Sequence, residues 1–153
     1  MKRSTTIYIL SLVLALCGNG CSASKISQSD SENQRLADCP TWPNCVSSEA
    51  QDAKHAIAPL ILTSDPKATW EAVVNVVDQL PRSTIVEATH RYLHVECKSR
   101  LFRFIDDLEL LLNPVTGVVA IRSAARVGKL DLGVNRRRVE ALRKILKEDG
   151  LIE

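Results

Sequence analysis

The stretch Ser83-Thr84-Ile85-Val86-Glu87-Ala88-Thr89-His90-Arg91-Tyr92-Leu93-His94-Val95-Glu96-Cys97-Lys98-Ser99 decides the fold class. Two runs rich in strand-forming residues flank Thr89-His90-Arg91, which reads as a hairpin turn. In the second run Leu93, Val95 and Cys97 alternate with His94, Glu96 and Lys98, so one face is buried and the other wet. Downstream, Leu108, Leu110 and Leu112 alternate in the same way. Asn113-Pro114-Val115-Thr116-Gly117 then supplies a turn, and Val118 to Ser123 returns as a strand. Leu101 to Phe104 either continues the second strand or begins another after a bend. Upstream, Ile57 to Leu62 is a short apolar run, most simply a strand. Asp65-Pro66 is a cap and first-turn pair for a helix with Trp70, Val73, Val74, Val77 and Leu80 on one stripe, ended by Pro81. A second helix is capped by Asn135, carries Val139, Leu142, Ile145 and Leu146, and stops at Gly150. The order β-α-β-β-β-β-α has no regular β-α-β alternation. It predicts an α+β domain, an antiparallel sheet of about five strands with two helices on one face.

Composition agrees with one such domain. The chain has 153 residues, 45% hydrophobic and 25% charged, the profile of a globular protein rather than a disordered or collagen-like one. About 115 ordered residues hold a single core without a disulfide scaffold. Aromatics are only 4%, too few for a platform that stacks single-stranded nucleic acid.

The first residues set the compartment. Lys2 and Arg3 precede an apolar run from Ile7 to Cys17, and small residues follow through Ala23, the layout of a bacterial secretory signal peptide over residues 1–20. The run is about 11 residues where a bilayer-spanning helix needs about 20. Cys21, preceded by Gly20, stands where a lipoprotein signal peptidase would cut and an acyl anchor would be attached. Ser22 after it favours the outer membrane, facing the periplasm. Cleavage after Ala23, giving a soluble periplasmic protein, is the alternative. Residues 21–37 are rich in Ser, Asp, Gln and Asn and read as a flexible tether before the domain at 38–153. The chain carries 20 Lys and Arg against 18 Asp and Glu; without Lys2 and Arg3 the balance is formally zero.

Cys39-Pro40-Thr41-Trp42-Pro43-Asn44-Cys45-Val46-Ser47-Ser48 reads as a fixed loop rather than a helix or strand. In an oxidising compartment Cys39 and Cys45 are the natural disulfide pair, and Cys97 reads as a small buried hydrophobe. A structural zinc site would need a second ligand pair, and a redox site a Cys-x-x-Cys; neither is present, so no metal or cofactor is expected. Asp106, Asp107 and Glu109 form an acidic cluster, but neighbouring carboxylates on a strand point to opposite faces. Their simplest role is to pair with Arg122, Arg126 or Arg136. Between the last strand and the last helix, Gly128 and Gly133 allow positive φ, and backbone amides and arginines at the helix start could bind an anion. Asp106, Asp107, Arg122, Arg126, Asp131, Asn135 and Arg136 are therefore the candidate anion or polar site. Residues 122–147 carry nine basic side chains against two acidic, a net of +7. In an exported protein this is more simply a solvated helix face than a nucleic-acid site. No serine triad is legible around His55, His90 or His94, and His94 reads as solvent-facing.

Three ordered motifs now stand out: Cys39 to Ser48, Phe102-Arg103-Phe104-Ile105-Asp106-Asp107-Leu108-Glu109, and Arg122 to Gly128 with Asp131-Leu132-Gly133-Val134-Asn135-Arg136. Together they resemble domain-of-unknown-function family 1499 from Cys39 to Leu146, with Ala125 where the family pattern has serine. The resemblance implies no activity, substrate or cofactor. It implies small exported or lipid-anchored bacterial proteins. The expectation is an envelope lipoprotein with a non-enzymatic binding or accessory role, its partner an envelope protein or small ligand. The competing expectation is an envelope hydrolase or transferase using Asp106, Asp107, Arg122, Arg126, Asp131 and Arg136. The two differ in whether those side chains converge on an open pocket or close into pairs.

Overall fold

The computed structural model describes residues 34–153. The signal peptide at 1–20, the lipidation site Cys21 and the tether as far as residue 33 lie outside the described residues. The elements run β1 (Cys45–Ser47), β2 (Leu60–Ile61), α1 (Pro66–Asp78), β3 (Ser83–Ala88), β4 (Tyr92–Lys98), β5 (Ile105–Leu112), β6 (Val118–Ala125) and α2 (Val134–Glu148). The strands form one antiparallel sheet in the order β1-β6-β5-β4-β3, with β2 also paired to β6. The fold is α+β, as the alternation of β4 and β5 implied.

Six strands replace the expected five because the loop from Cys39 to Ser48 ends in one. From Asn44 to Ser48 every residue has a backbone N–H, and Cys45, Val46 and Ser47 pair with Ala124, Ser123 and Arg122. All three side chains are buried, so the segment shows none of the alternation by which a half-exposed strand is read. Of Ile57 to Leu62, only Leu60 and Ile61 join the sheet, opposite Val119 and Val118. They use the stretch of β6 that β1 leaves free. Leu101 to Phe104 is a turn, with Ser99 N–H donating to the Phe104 carbonyl at 2.8 Å. Edge strand β3 has a register shift between Ile85 and Glu87.

Asp65 caps α1, its Oδ1 accepting from Ala68 N–H at 2.9 Å, and Pro66 takes the first turn, where its missing N–H costs nothing. Trp70, Val73 and Val77 are buried, and Trp70 Nε1 donates to the Thr89 carbonyl at 3.2 Å. Helix α2 begins one residue before Asn135, with Gly133 at the cap position at φ 76°. Asn135 is therefore not the cap. Asp131 serves the first turn instead, its two oxygens accepting from the amides of Gly133 at 2.8 Å and Asn135 at 2.9 Å. That frees the Asn135 side chain to turn inward.

Both helices lie on one face. Leu93, Val95, Leu108, Leu110, Val119 and Ile121 of the sheet share one buried cluster with Val73 and Val77 of α1 and Val139, Leu142 and Leu146 of α2. Each such side chain contributes about 1.5–3 kcal/mol when fully buried, so this layer holds the fold. Packing also reaches into the expected tether, where Leu36 is buried. The opposite sheet face carries Tyr92, His94, Glu96, Asp107, Glu109 and Arg122.

Candidate functional site

The three motifs meet at the start of α2. The Asn44 carbonyl, just before β1, accepts from Ala125 N–H and from Asn135 Nδ2, both at 2.9 Å. Asn44 Nδ2 donates to the Gly128 carbonyl at 2.6 Å. Asn135 Nδ2 also reaches Asp131 Oδ2 at 2.8 Å, and Asn135 Oδ1 accepts from Ser123 Oγ at 2.7 Å and Arg138 at 2.5 Å. Arg138 continues to Ser123 Oγ at 2.9 Å and to Asp106 Oδ2 at 2.5 Å. Asp106, Ser123 and Asn135 are buried. Burying them is tolerable only because each is hydrogen-bonded. The exception is Asn44 Oδ1, buried without a hydrogen-bond partner.

A second set lies across the sheet. Asp107 takes Arg126 in a bidentate pair, Nε at 3.0 Å to Oδ2 and NH2 at 2.7 Å to Oδ1, and meets His94 Nε2 at 2.7 Å. Arg126 also reaches Glu96 at 2.8 Å. Glu109 pairs with Arg122 at 2.5 Å and accepts from the Tyr92 hydroxyl at 2.9 Å. Burial would raise the Asp107 pKa, but hydrogen bonds from Arg126 and His94 outweigh it and hold the carboxyl below its usual range. Burial first and the Glu109 charge second push the Tyr92 phenol upward. The carboxylates on Arg126 raise its pKa further.

Asp106 and Asp107 thus face opposite sides of the sheet, as their adjacency requires. The partner of Asp106 is Arg138, outside the expected set of Arg122, Arg126 and Arg136. Among the described residues Arg136 meets no acid: it donates to the carbonyls of Lys54 at 3.1 Å and Ala56 at 2.9 Å. With Asp131 it lines a cleft of about 300 Å³ that also includes Pro43, Cys45 and Lys54. His94 lies on the outer face, but its ring is engaged by Asp107 rather than left to solvent. The acidic cluster and the basic segment neutralise each other through Asp106–Arg138, Asp107–Arg126 and Glu109–Arg122.

A cleft of about 740 Å³ lies at the other end of the sheet. Leu111, Ala120 and Pro114 are among its apolar walls, and Gln34, Glu49 and Arg91 are among its polar ones. Glu49 Oε2 and Arg91 Nε are each buried without a hydrogen-bond partner. Sequence reading missed both. They stand 42 positions apart in no shared motif, and the only local signal was Arg91 in the hairpin turn.

Cys39 and Cys45 form a disulfide, Cα atoms 5.6 Å apart. Cys97 is a buried free thiol, and burial pushes its pKa up. Among the described residues no three His, Cys, Asp or Glu side chains gather as metal ligands, and no helix is long and apolar enough to cross a membrane. No curated protein and no solved structure matches the chain. A family model does, over residues 35–146, which takes in the Cys39–Cys45 loop, both ion-pair sets and all but the last two residues of α2. The chain belongs to DUF1499, a family of proteins of unknown function.

Proposed function

We propose that the protein is an exported component of the bacterial cell envelope, anchored by an acyl group on Cys21, with a binding or accessory role rather than a catalytic one. One observation carries the functional part of this reading. Asp106, Asp107 and Glu109 are paired with Arg138, Arg126 and Arg122, and Asp131 and Arg136 are held by backbone groups, whereas the large cleft brings together a carboxylate and a guanidinium that each keep a buried polar atom without a hydrogen-bond partner. A cleft with an apolar floor and two such groups suits a small ligand, or a segment of an envelope protein, that offers both a donor and an acceptor. The Cys39–Cys45 disulfide supports an oxidising compartment, and Ser22 favours the outer membrane over the inner one.

Native mass spectrometry of protein isolated from its own envelope tests the binding role. The expected result is a retained mass that is lost in Glu49→Gln; a bare chain that acquires nothing from envelope extract refutes it. Anchoring is read separately, from an acylated N-terminal Cys21 peptide and from retention on membranes after a high-salt wash, which removes peripheral electrostatic attachment. A Cys21→Ala chain that still resists the wash would sink the anchor.

A further inference from the structure

We propose that one end of the domain is a docking surface for an anionic phospholipid bilayer. Antiparallel pairing brings three loops to that end: residues 40–44 before β1, 99–104 between β4 and β5, and 126–133 after β6. Seven of the eleven large apolar side chains exposed among the described residues lie in these loops, and an eighth, Val134, follows directly as the first residue of α2. The β4–β5 loop presents Leu101, Phe102 and Phe104, and the two rings stack at 5.6 Å. Leu130 and Leu132 are exposed in the β6–α2 connector, and Trp42 stands beside it under the ammonium of Lys129, 4.2 Å from the ring centroid. A monomeric soluble surface rarely concentrates its apolar side chains in this way without a partner.

Charge identifies the partner. Arg82, Lys98, Arg100 and Arg103 line a cleft of about 400 Å³ together with Ser83, Thr84 and Ser99. Among the described residues none of these four cations has an ion-pair partner, in contrast to Arg122, Arg126 and Arg138. The three loops hold a single acid, Asp131, and its carboxylate is turned back onto the amides of α2. Backbone conformation points to the same end. Among the described residues the three non-glycine residues at positive φ are Arg82 at 61°, Arg103 at 57° and Leu132 at 53°. L residues adopt that conformation at a cost, and such costs concentrate where side chains must be presented for binding. Cations around a cleft with room for a phosphate-bearing headgroup, with apolar and aromatic tips beside them, match an anionic headgroup layer over acyl chains. The surface acts independently of any lipid on Cys21.

Trp42 is a built-in reporter, since the other tryptophan, Trp70, is only 2% exposed in the core. The full chain, in the form the cell makes, is placed with vesicles of phosphatidylglycerol and phosphatidylethanolamine, or of phosphatidylcholine alone. The expected result is a blue shift of Trp42 emission and its quenching by brominated acyl chains on the anionic vesicles only, reversed by high salt. Arg100→Glu with Phe102→Ser, both exposed positions, should weaken the response at least about tenfold with an unchanged thermal melt. The proposal is overturned by an unaltered Trp42 spectrum on anionic vesicles or by an equal response on phosphatidylcholine. A shift produced by inorganic phosphate alone, or by raising protein concentration without lipid, also overturns it, pointing to a free-anion site or a second copy of the chain.

Discussion

Replacing Asn135 with alanine should destabilise the domain more than removing any exposed ion pair. Asn135 is 0% exposed and makes four side-chain hydrogen bonds, two given to the Asn44 carbonyl and Asp131 and two accepted from Ser123 and Arg138. Each is worth about 0.5–1.5 kcal/mol net, and a buried group left unpaired costs about 1–3 kcal/mol. Part of the loss is recovered. The Asn44 carbonyl keeps Ala125 N–H, and Arg138 keeps Asp106 and Ser123, so the hydroxyl of Ser123 is the donor left stranded. Alanine also returns a few tenths of a kcal/mol in helix propensity. The expected loss is about 2–4 kcal/mol. With a urea slope of about 1–3 kcal/mol per molar, the midpoint falls by roughly 1–2 M. Adding Ser123→Ala to the variant should cost less than the sum of the two single changes, because the stranded hydroxyl is then gone. A urea midpoint within about 0.3 M of wild type would refute the structural role of the network, since a fold pinned by these bonds cannot lose four of them at a cost below about 0.5 kcal/mol.

Two further outcomes follow from the same geometry. Cys39 and Cys45 should resist alkylation in unreduced protein while Cys97 reacts only on unfolding. Cys39→Ser should lower stability by roughly 2 kcal/mol, given the short loop closed, and free alkylation of both thiols in the native state would contradict the disulfide. Asp107 has a folded pKa below its unfolded value, so its contribution is complete above the unfolded value of about 3.9 and is lost as pH falls through the depressed one. Asp107→Asn should therefore be less stable than wild type at pH 7 and should approach it below about pH 4. A gap of constant size from pH 7 to pH 3 would count against the Arg126 and His94 pairing.

The parts legible in the sequence were those where one physical cause acted alone. Strands β4 and β5 each have one wet face, so Leu93, Val95, Leu108 and Leu110 announce their period, and α1 has Asp65-Pro66 to mark its start. Strand β1 was hidden because it is buried on both sides and only three residues long, leaving no period to read. The start of α2 was misjudged because Asp131 and Asn135 are both good capping residues. The glycine at 133 placed the turn so that Asp131 took the amides and Asn135 took the interior. The opposite facing of Asp106 and Asp107 followed from strand geometry alone. The choice of Arg138 over Arg136 did not, because it depends on how α2 is rotated about its axis above the sheet. The cleft around Glu49 and Arg91 was beyond reach for a different reason: long-range pairing of the strands assembles it, and neither residue has a neighbour in sequence that betrays it.

The disulfide also decides where tension enters the domain. Gln34 and Leu36 lead into Cys39, and Cys39 is bonded to the first residue of β1. A pull on the chain from its N-terminal side can strip Leu36 from its burial, but at Cys39 the force crosses the sulfur bridge directly to Cys45. Residues 40–44, with Trp42 and the Asn44 carbonyl that Asn135 holds, are bypassed and stay slack. The load passes instead into β1 and the ladder it shares with β6, flanked by β5 on its other side. Reduction of the bridge would reroute the same pull through Asn44 and into the polar network at the start of α2, turning a mechanically shielded loop into the first element to yield.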